Sequence, residues 1–274
     1  MPVIDGKAVS QEIREELQKK VLELGRLPVL EIILAGNDPE SQRYVEMKKQ
    51  AVEEIGGRCN IHHISHPNTE MLEALIQKLS DDTKVDGILV QLPLPEDLDK
   101  NRIMSAVKPT KDVDGLHPLN LGLSLTGDQY FIGCGARAVL HVAREYIKHD
   151  PPRILVVGDS EDLVKSLSAV VLGLGWPLTV LDSWQWWIAA NAYDVIVLDK
   201  GDPLSFTGQQ FARWSLVVDA GFHWKDNKSV GNLVTESFKG EEAAWLLPVP
   251  GGIGPLLITM LLSNLLYAVT LNEG

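Results

Sequence analysis

Cysteine is scarce in this chain of 274 residues, which has only Cys59 and Cys134. Two thiols cannot build a disulfide framework, so a reducing cytoplasm is the expected compartment. Positive charge is also short. Lys and Arg total 25 against 37 Asp and Glu, a net charge of −12. That balance excludes the basic face that nucleic acid or an anionic membrane needs, while leaving room for a small anionic ligand held by a few local cations. Long apolar runs are missing too. The strongest, Leu256 to Leu266, is too short to span a bilayer, so no membrane partner is expected. Met1 to Ser10 has neither the basic start nor the apolar stretch of a signal peptide. There is no internal repeat or low-complexity tract, and no metal site is expected.

What is present is an alternation of short apolar runs with amphipathic stretches. The stretch Asp86-Gly87-Ile88-Leu89-Val90-Gln91-Leu92-Pro93-Leu94-Pro95 stands out. Ile88 to Val90 suits a strand buried on both faces. Gln91 follows where the run ends, and Pro93 and Pro95 stop the strand because proline has no N–H for a sheet ladder. A polar amide at the carboxyl end of a buried strand is where an open α/β sheet builds its ligand crevice. On the strand alone, Gln91 is a backbone cap. Around it the periodicity predicts helices over Val9 to Leu24, Glu40 to Ile55 and Thr69 to Leu79, and strands over Leu30 to Leu34 and Arg58 to Ile64. Asp97 to Val107 could hold a short helix, and Cys134 to His149 reads as a helix bridging two domains.

After Asp150-Pro151-Pro152 a second alternating unit begins. Strands are expected over Arg153 to Val157, Leu178 to Leu181, Asp194 to Leu198 and Leu216 to Asp219. A helix spans Leu163 to Leu174, and a last one, Leu256 to Leu271, returns to pack on the first domain. The fold class is α/β with two domains and mainly parallel sheets, the second Rossmann-like. The expected division is 1–120 plus 255–274 for the first domain and 121–254 for the second.

Four blocks then stand together: Tyr44-Val45-Glu46-Met47-Lys48, Asp86 to Pro95, Lys111 to Asn120, and Pro248 to Pro255. In this order they resemble the bifunctional methylenetetrahydrofolate dehydrogenase/methenyltetrahydrofolate cyclohydrolase family, over nearly the whole chain. The resemblance implies a tetrahydrofolate substrate, a homodimer formed through the second domain, and roles for particular residues. Tyr44 and Lys48 are spaced i, i+4, which puts both on one helical face. Tyr44 would stack on the flat pterin. Lys48 would pass protons when water adds to the methenyl carbon and a nitrogen departs. Gln91 would hold the lysine amine, Asp114 would accept hydrogen bonds from the pterin, and Gly251, Gly252, Gly254 and Pro255 would close over the substrate. Taken singly, Tyr44 and Lys48 are an exposed helical pair, Asp114 is a turn residue and the glycines are a loop. His117 reads as structural.

The cofactor half departs from the family, whose turn reads Gly-Arg-Ser, three residues, Gly, one residue, Pro. Here it reads Gly158-Asp159-Ser160-Glu161-Asp162-Leu163-Val164-Lys165-Ser166. Gly158 and Ser160 remain as cofactor-binding candidates. Val164 adds bulk where glycine lets a pyrophosphate approach the backbone. Asp159, Glu161 and Asp162 are carboxylates that compete with phosphate, a like-charge cost of ~1 kcal/mol or more even when well screened. The family's Pro-Cys-Thr-Pro reads Gly133-Cys134-Gly135-Ala136, and its Met-Thr reads Leu256-Leu257. Trp184, Trp186 and Trp187 crowd the region expected for the ribose. Asp182 stands where NAD-binding sheets place a ribose-binding acid, and it favours NAD over NADP. The expectation is therefore cyclohydrolase chemistry, interconverting 5,10-methenyl- and 10-formyltetrahydrofolate, with NAD(P) binding and dehydrogenase activity weak or lost. The alternatives are the full bifunctional enzyme, a non-catalytic folate-binding relative, or an enzyme recruited to another one-carbon transfer.

Overall fold

A computed structural model describes residues 3–212, 214–225, 228–239 and 244–273. The chain forms two compact units. One comprises Gln11–Leu123, Gln129–Ile132 and Ile258–Gly274, and the other Met1–Ser10, Ser124–Asp128 and Gly133–Leu257. They are called here the N-terminal and C-terminal units.

The N-terminal unit runs α1 (Gly6–Leu24, from Gln11 onward), β1 (Val29–Ala35), α2 (Pro39–Glu54), β2 (Arg58–Ile64), α3 (Thr69–Asp81), β3 (Gly87–Val90), α4 (Lys100–Ser105) and α5 (Pro118–Leu123). Its sheet is parallel throughout, in the order β2-β1-β3. Caps set the helix starts. Asp38 accepts the Ser41 N–H at 2.7 Å before α2, and Asn68 accepts that of Met71 at 2.8 Å before α3. All four residues of β3 are buried, as a central apolar strand requires. Ile33, Leu72, Ile76, Ile88, Val90 and Ile103 share one core.

The C-terminal unit runs α6 (Cys134–Tyr146), β4 (Ile154–Val157), α7 (Ser166–Gly173), β5 (Leu178–Leu181), β6 (Val195–Leu198), β7 (Leu216–Asp219), the hairpin β8 (His223–Lys225) and β9 (Lys228–Val230), and β10 (Trp245–Leu247). Its five-stranded parallel sheet has the order β10-β7-β6-β4-β5. The chain steps from β4 to one side for β5 and back past it for β6. This makes the carboxyl ends of β4 and β6 a topological switch point, where open α/β sheets bind ligands. A last helix, α8 (Ile253–Glu273), ends the chain.

The architecture is the expected α/β one with two parallel sheets. Three details differ. The helix expected to bridge two domains, α6, lies wholly within the C-terminal unit. The helix expected from Leu163 begins instead as a π turn over Glu161–Lys165, with α7 following. The final helix is longer than its apolar core, 21 residues. By length and composition Ile253–Asn272 could cross a membrane, but 67% of its most apolar window is buried inside the protein, as in a core helix. Within the N-terminal unit α8 packs beside α1: Arg14 Nε donates to Thr259 Oγ1 at 3.0 Å.

Candidate functional site

Lys48 and Gln91 meet in the N-terminal unit. Tyr44 and Lys48 lie one turn apart on α2, along the edge of the face that buries Val45, Ala51 and Val52. Gln91 is the first residue beyond β3, and its N–H continues the ladder to Ile33 O at 2.9 Å. Its side chain is buried. Lys48 Nζ donates to Gln91 Oε1 at 2.9 Å, and Gln91 Nε2 donates to Leu92 O at 2.5 Å. Both poles of the amide are used, so its acceptor oxygen is fixed toward the lysine. Lys48 is half-buried, and Tyr44 remains 38% exposed. Partial desolvation raises the Tyr44 phenol above its ordinary value, with Glu40 adding to the rise.

Asp114 sits in a loop held from three sides. Asp112, buried, accepts the Leu116 and His117 N–H groups at 3.3 and 2.8 Å and Asn120 Nδ2 at 2.8 Å. Asn264 of α8 donates to Val113 O at 2.8 Å. β3 approaches the same loop because Gly87 has no side chain. A Cβ there would lie 2.6 Å from Val113 Cγ1. Burial pushes the Asp112 carboxyl up to about 6, against the pull of its three donors. His117 is lowered by burial, and its Nδ1 accepts the Leu119 N–H at 2.9 Å, a structural use of the ring. Asp114 is only partly buried and belongs to the same unit as Lys48. Gly251, Gly252, Gly254 and Pro255 belong to the C-terminal unit, where the Gly252 carbonyl packs against Gly6.

The turn after β4 differs from the sequence expectation. The Val164 side chain is buried. Its neighbour Leu163 lies over Gly135 of α6, where a Cβ would stand 3.0 Å from Leu163 Cδ1. Two of the three expected carboxylates are answered at the surface: Asp159 pairs with Lys200 and Glu161 with Lys165, each at 3.0 Å. Trp184 packs edge-on to Phe206 and Phe211 in the core, while Trp186 and Trp187 are exposed. Asp182 is exposed just past β5. Sequence reasoning missed Asp199, the first residue beyond β6. Its Oδ1 accepts the Ser160 hydroxyl at 2.9 Å, and its Oδ2 lies 3.4 Å from the Ser160 N–H. The signal was available, because Asp199 ends an apolar run as Gln91 does.

The comparisons with known proteins agree along the whole chain. Residues 4–114 match the family described as "Tetrahydrofolate dehydrogenase/cyclohydrolase, catalytic domain", and residues 133–273 match its "NAD(P)-binding domain". A bifunctional protein FolD of Halothermothrix orenii is 37% identical, covering 97% of each chain. Among solved structures, the bifunctional FolD methylenetetrahydrofolate dehydrogenase/cyclohydrolase from Campylobacter jejuni is 31% identical, with a TM-score of 0.89 and 98% of each chain covered. The Trypanosoma brucei dehydrogenase-cyclohydrolase, solved with NADP and an inhibitor, is 29% identical, with a TM-score of 0.90 over 99% of this chain and 98% of that one.

Proposed function

The chain belongs to the tetrahydrofolate dehydrogenase/cyclohydrolase family, and from that premise we propose that it catalyses both reactions on a tetrahydrofolate-bound one-carbon unit. The sequence reading put the dehydrogenase as weak or lost. Relatives matched end to end and named bifunctional favour the two-reaction reading instead. The carrying observation is the Lys48–Gln91 hydrogen bond.

In the cyclohydrolase step, water adds to the methenyl carbon, one C–N bond breaks and a formyl group remains on the other nitrogen. One proton leaves the attacking water and one reaches the departing nitrogen. Lys48 is placed to make both transfers, its free N–H positions turned by the bond to Gln91. Tyr44 offers an apolar face to the pterin, and Asp114 an acceptor to its N–H groups. Gly251, Gly252, Gly254 and Pro255 are given a substrate role by the family resemblance alone.

A bound dinucleotide supplies the hydride acceptor for the dehydrogenase step. The turn after β4 carries donors suited to an anion, the Ser160 hydroxyl and N–H, which here face the Asp199 carboxylate. Gly158 and Ser160 would hold the phosphates and Asp182 the ribose. A reducing cytoplasm and a homodimer are part of this reading, the dimer to be checked by light scattering.

The test uses purified protein. It should speed the loss of methenyltetrahydrofolate absorbance, and should form that absorbance from methylenetetrahydrofolate with NADP or NAD. Absence of the first activity removes the role of Lys48, and absence of the second leaves cyclohydrolysis alone. The specific observation favouring that narrower second reading is the carboxylate of Asp199 at the turn.

A further inference from the structure

We propose that Asp199 is a built-in competitor for the phosphate-binding turn and sets how tightly this chain takes a dinucleotide. The proposal rests on the dinucleotide half of the reading above.

The register places the two parts side by side. Val157 pairs with Leu198, so Gly158 and Asp199 leave the sheet together at the switch point between β4 and β6. The Asp199 N–H donates to Val157 O at 2.9 Å, which ties the acid's backbone to the strand that carries the turn. Its carboxylate then bonds back over that turn. It takes the Ser160 hydroxyl at 2.9 Å and reaches the Ser160 N–H at 3.4 Å, the donors a phosphate oxygen would use. Gly158, at φ +147°, gives the carboxylate room, since a Cβ there would stand 2.4 Å from Asp199 Oδ2. The space that glycine leaves for a pyrophosphate is filled from within.

Asp219, the last residue of β7, shows how this differs from an ordinary strand-end acid. It accepts the N–H groups of Gly221, Asn232 and Leu233 at 3.0–3.1 Å, all in the segment that follows it. Asp199 instead reaches across to the turn of another strand. Burial raises its carboxyl above the usual range, with the nearby charge of Asp162 adding to the rise, so its charge is poorly screened. A phosphate reaching Ser160 must displace this side chain or face its charge. The paired carboxylates of Asp159 and Glu161 are exposed and matter less.

The test is calorimetric titration of NADP and NAD into the full chain and into Asp199→Asn and Asp199→Ala, with melting curves confirming that each is folded. Both variants should bind at least one dinucleotide about tenfold more tightly or better, Ala by removing bulk as well as charge. Equal or weaker binding by folded variants, with binding by the wild type, overturns the proposal and leaves the functional reading intact. No binding by any of the three sinks the proposal together with the dinucleotide half of the reading. A wild-type readout covers variants that unfold. Saturating NADP should shift the carboxyl carbon resonance of Asp199 as the bond to Ser160 breaks, and an unmoved resonance with cofactor bound counts against the idea.

Discussion

Lys48 and Gln91 are joined across two elements: an amine from the middle of α2 reaches an amide at the end of β3, 2.9 Å away. The amide cannot turn without losing Leu92 O. A lysine held this way keeps a defined direction while its remaining hydrogens are exchanged. Replacing Lys48 with Met is expected to lower the cyclohydrolase kcat by about 10²–10⁴, the usual range for a positioned proton carrier. Gln91→Leu should cost less, about tenfold, because it loosens the carrier without removing it. Stopped-flow absorbance reads both, and a Lys48→Met enzyme as fast as the wild type would end the assignment.

Tyr44 separates ring from hydroxyl. Its phenol is raised, so it stays protonated at neutral pH and offers a neutral face. Tyr44→Ala should raise KM for the folate about fivefold, in line with ~1 kcal/mol for an aromatic contact. Tyr44→Phe should change KM little. A large effect in Phe would shift the role from stacking to the hydroxyl.

Asp86 starts the segment that ends in Gln91, and it is almost fully buried. It takes two bonds from Arg26, at 2.7 and 2.8 Å, and the Val29 N–H at 2.8 Å. Asp86→Ala would leave the Val29 N–H and the guanidinium without that acceptor. Urea unfolding should show a loss of about 3 kcal/mol. A change within 0.5 kcal/mol, roughly that of a surface site, would show that the bidentate pair contributes little.

Asp112 gives a pH signature. Its folded value, about 6, lies above the unfolded one, near 3.9. A raised acid contributes stability that is complete below the unfolded value and lost as pH rises through the folded one. The wild type should therefore gain on Asp112→Asn between pH 7 and pH 4, by up to about 3 kcal/mol. Acids that titrate in both proteins cancel in that difference, including Asp219, which burial also raises to about 6. Urea midpoints at pH 7, 5.5 and 4.5 measure it, and a wild type that loses ground to Asp112→Asn toward acid contradicts the assignment.

Much of the fold was legible because apolar runs report burial directly. Ile88 to Val90 and Val195 to Leu198 are strands with every residue buried. The i, i+4 pair on α2 and the amide after β3 were legible for the same reason: periodicity fixes faces and strand ends. Short-range pattern could not reach contacts between separate strands. The packing of Val164 inside, with its neighbour Leu163 over Gly135, was out of its reach. Asp159 looked like an uncompensated charge until Lys200, 41 residues later, proved to be its partner. Pairings of that separation depend on the sheet order. So does Asp199, which becomes meaningful only when β6 is known to lie beside β4. β10, three residues long, and the helix α5 carried too little periodicity to be read.

The last helix bears on the order of synthesis. Asn264 secures the Val113 carbonyl, and Leu265 stands where a Gly87 Cβ would reach 2.9 Å. The sheet and loop that present Lys48, Gln91 and Asp114 are translated well before the segment that closes their core, which in the Val113–Asn264 pair lies 151 residues further on. A nascent chain halted before α8 should expose its N-terminal unit to protease, and extension through α8 should restore protection. Pulse proteolysis of chains stalled on either side of α8 would show that step. The lysine site would then take shape long after its own residues are made.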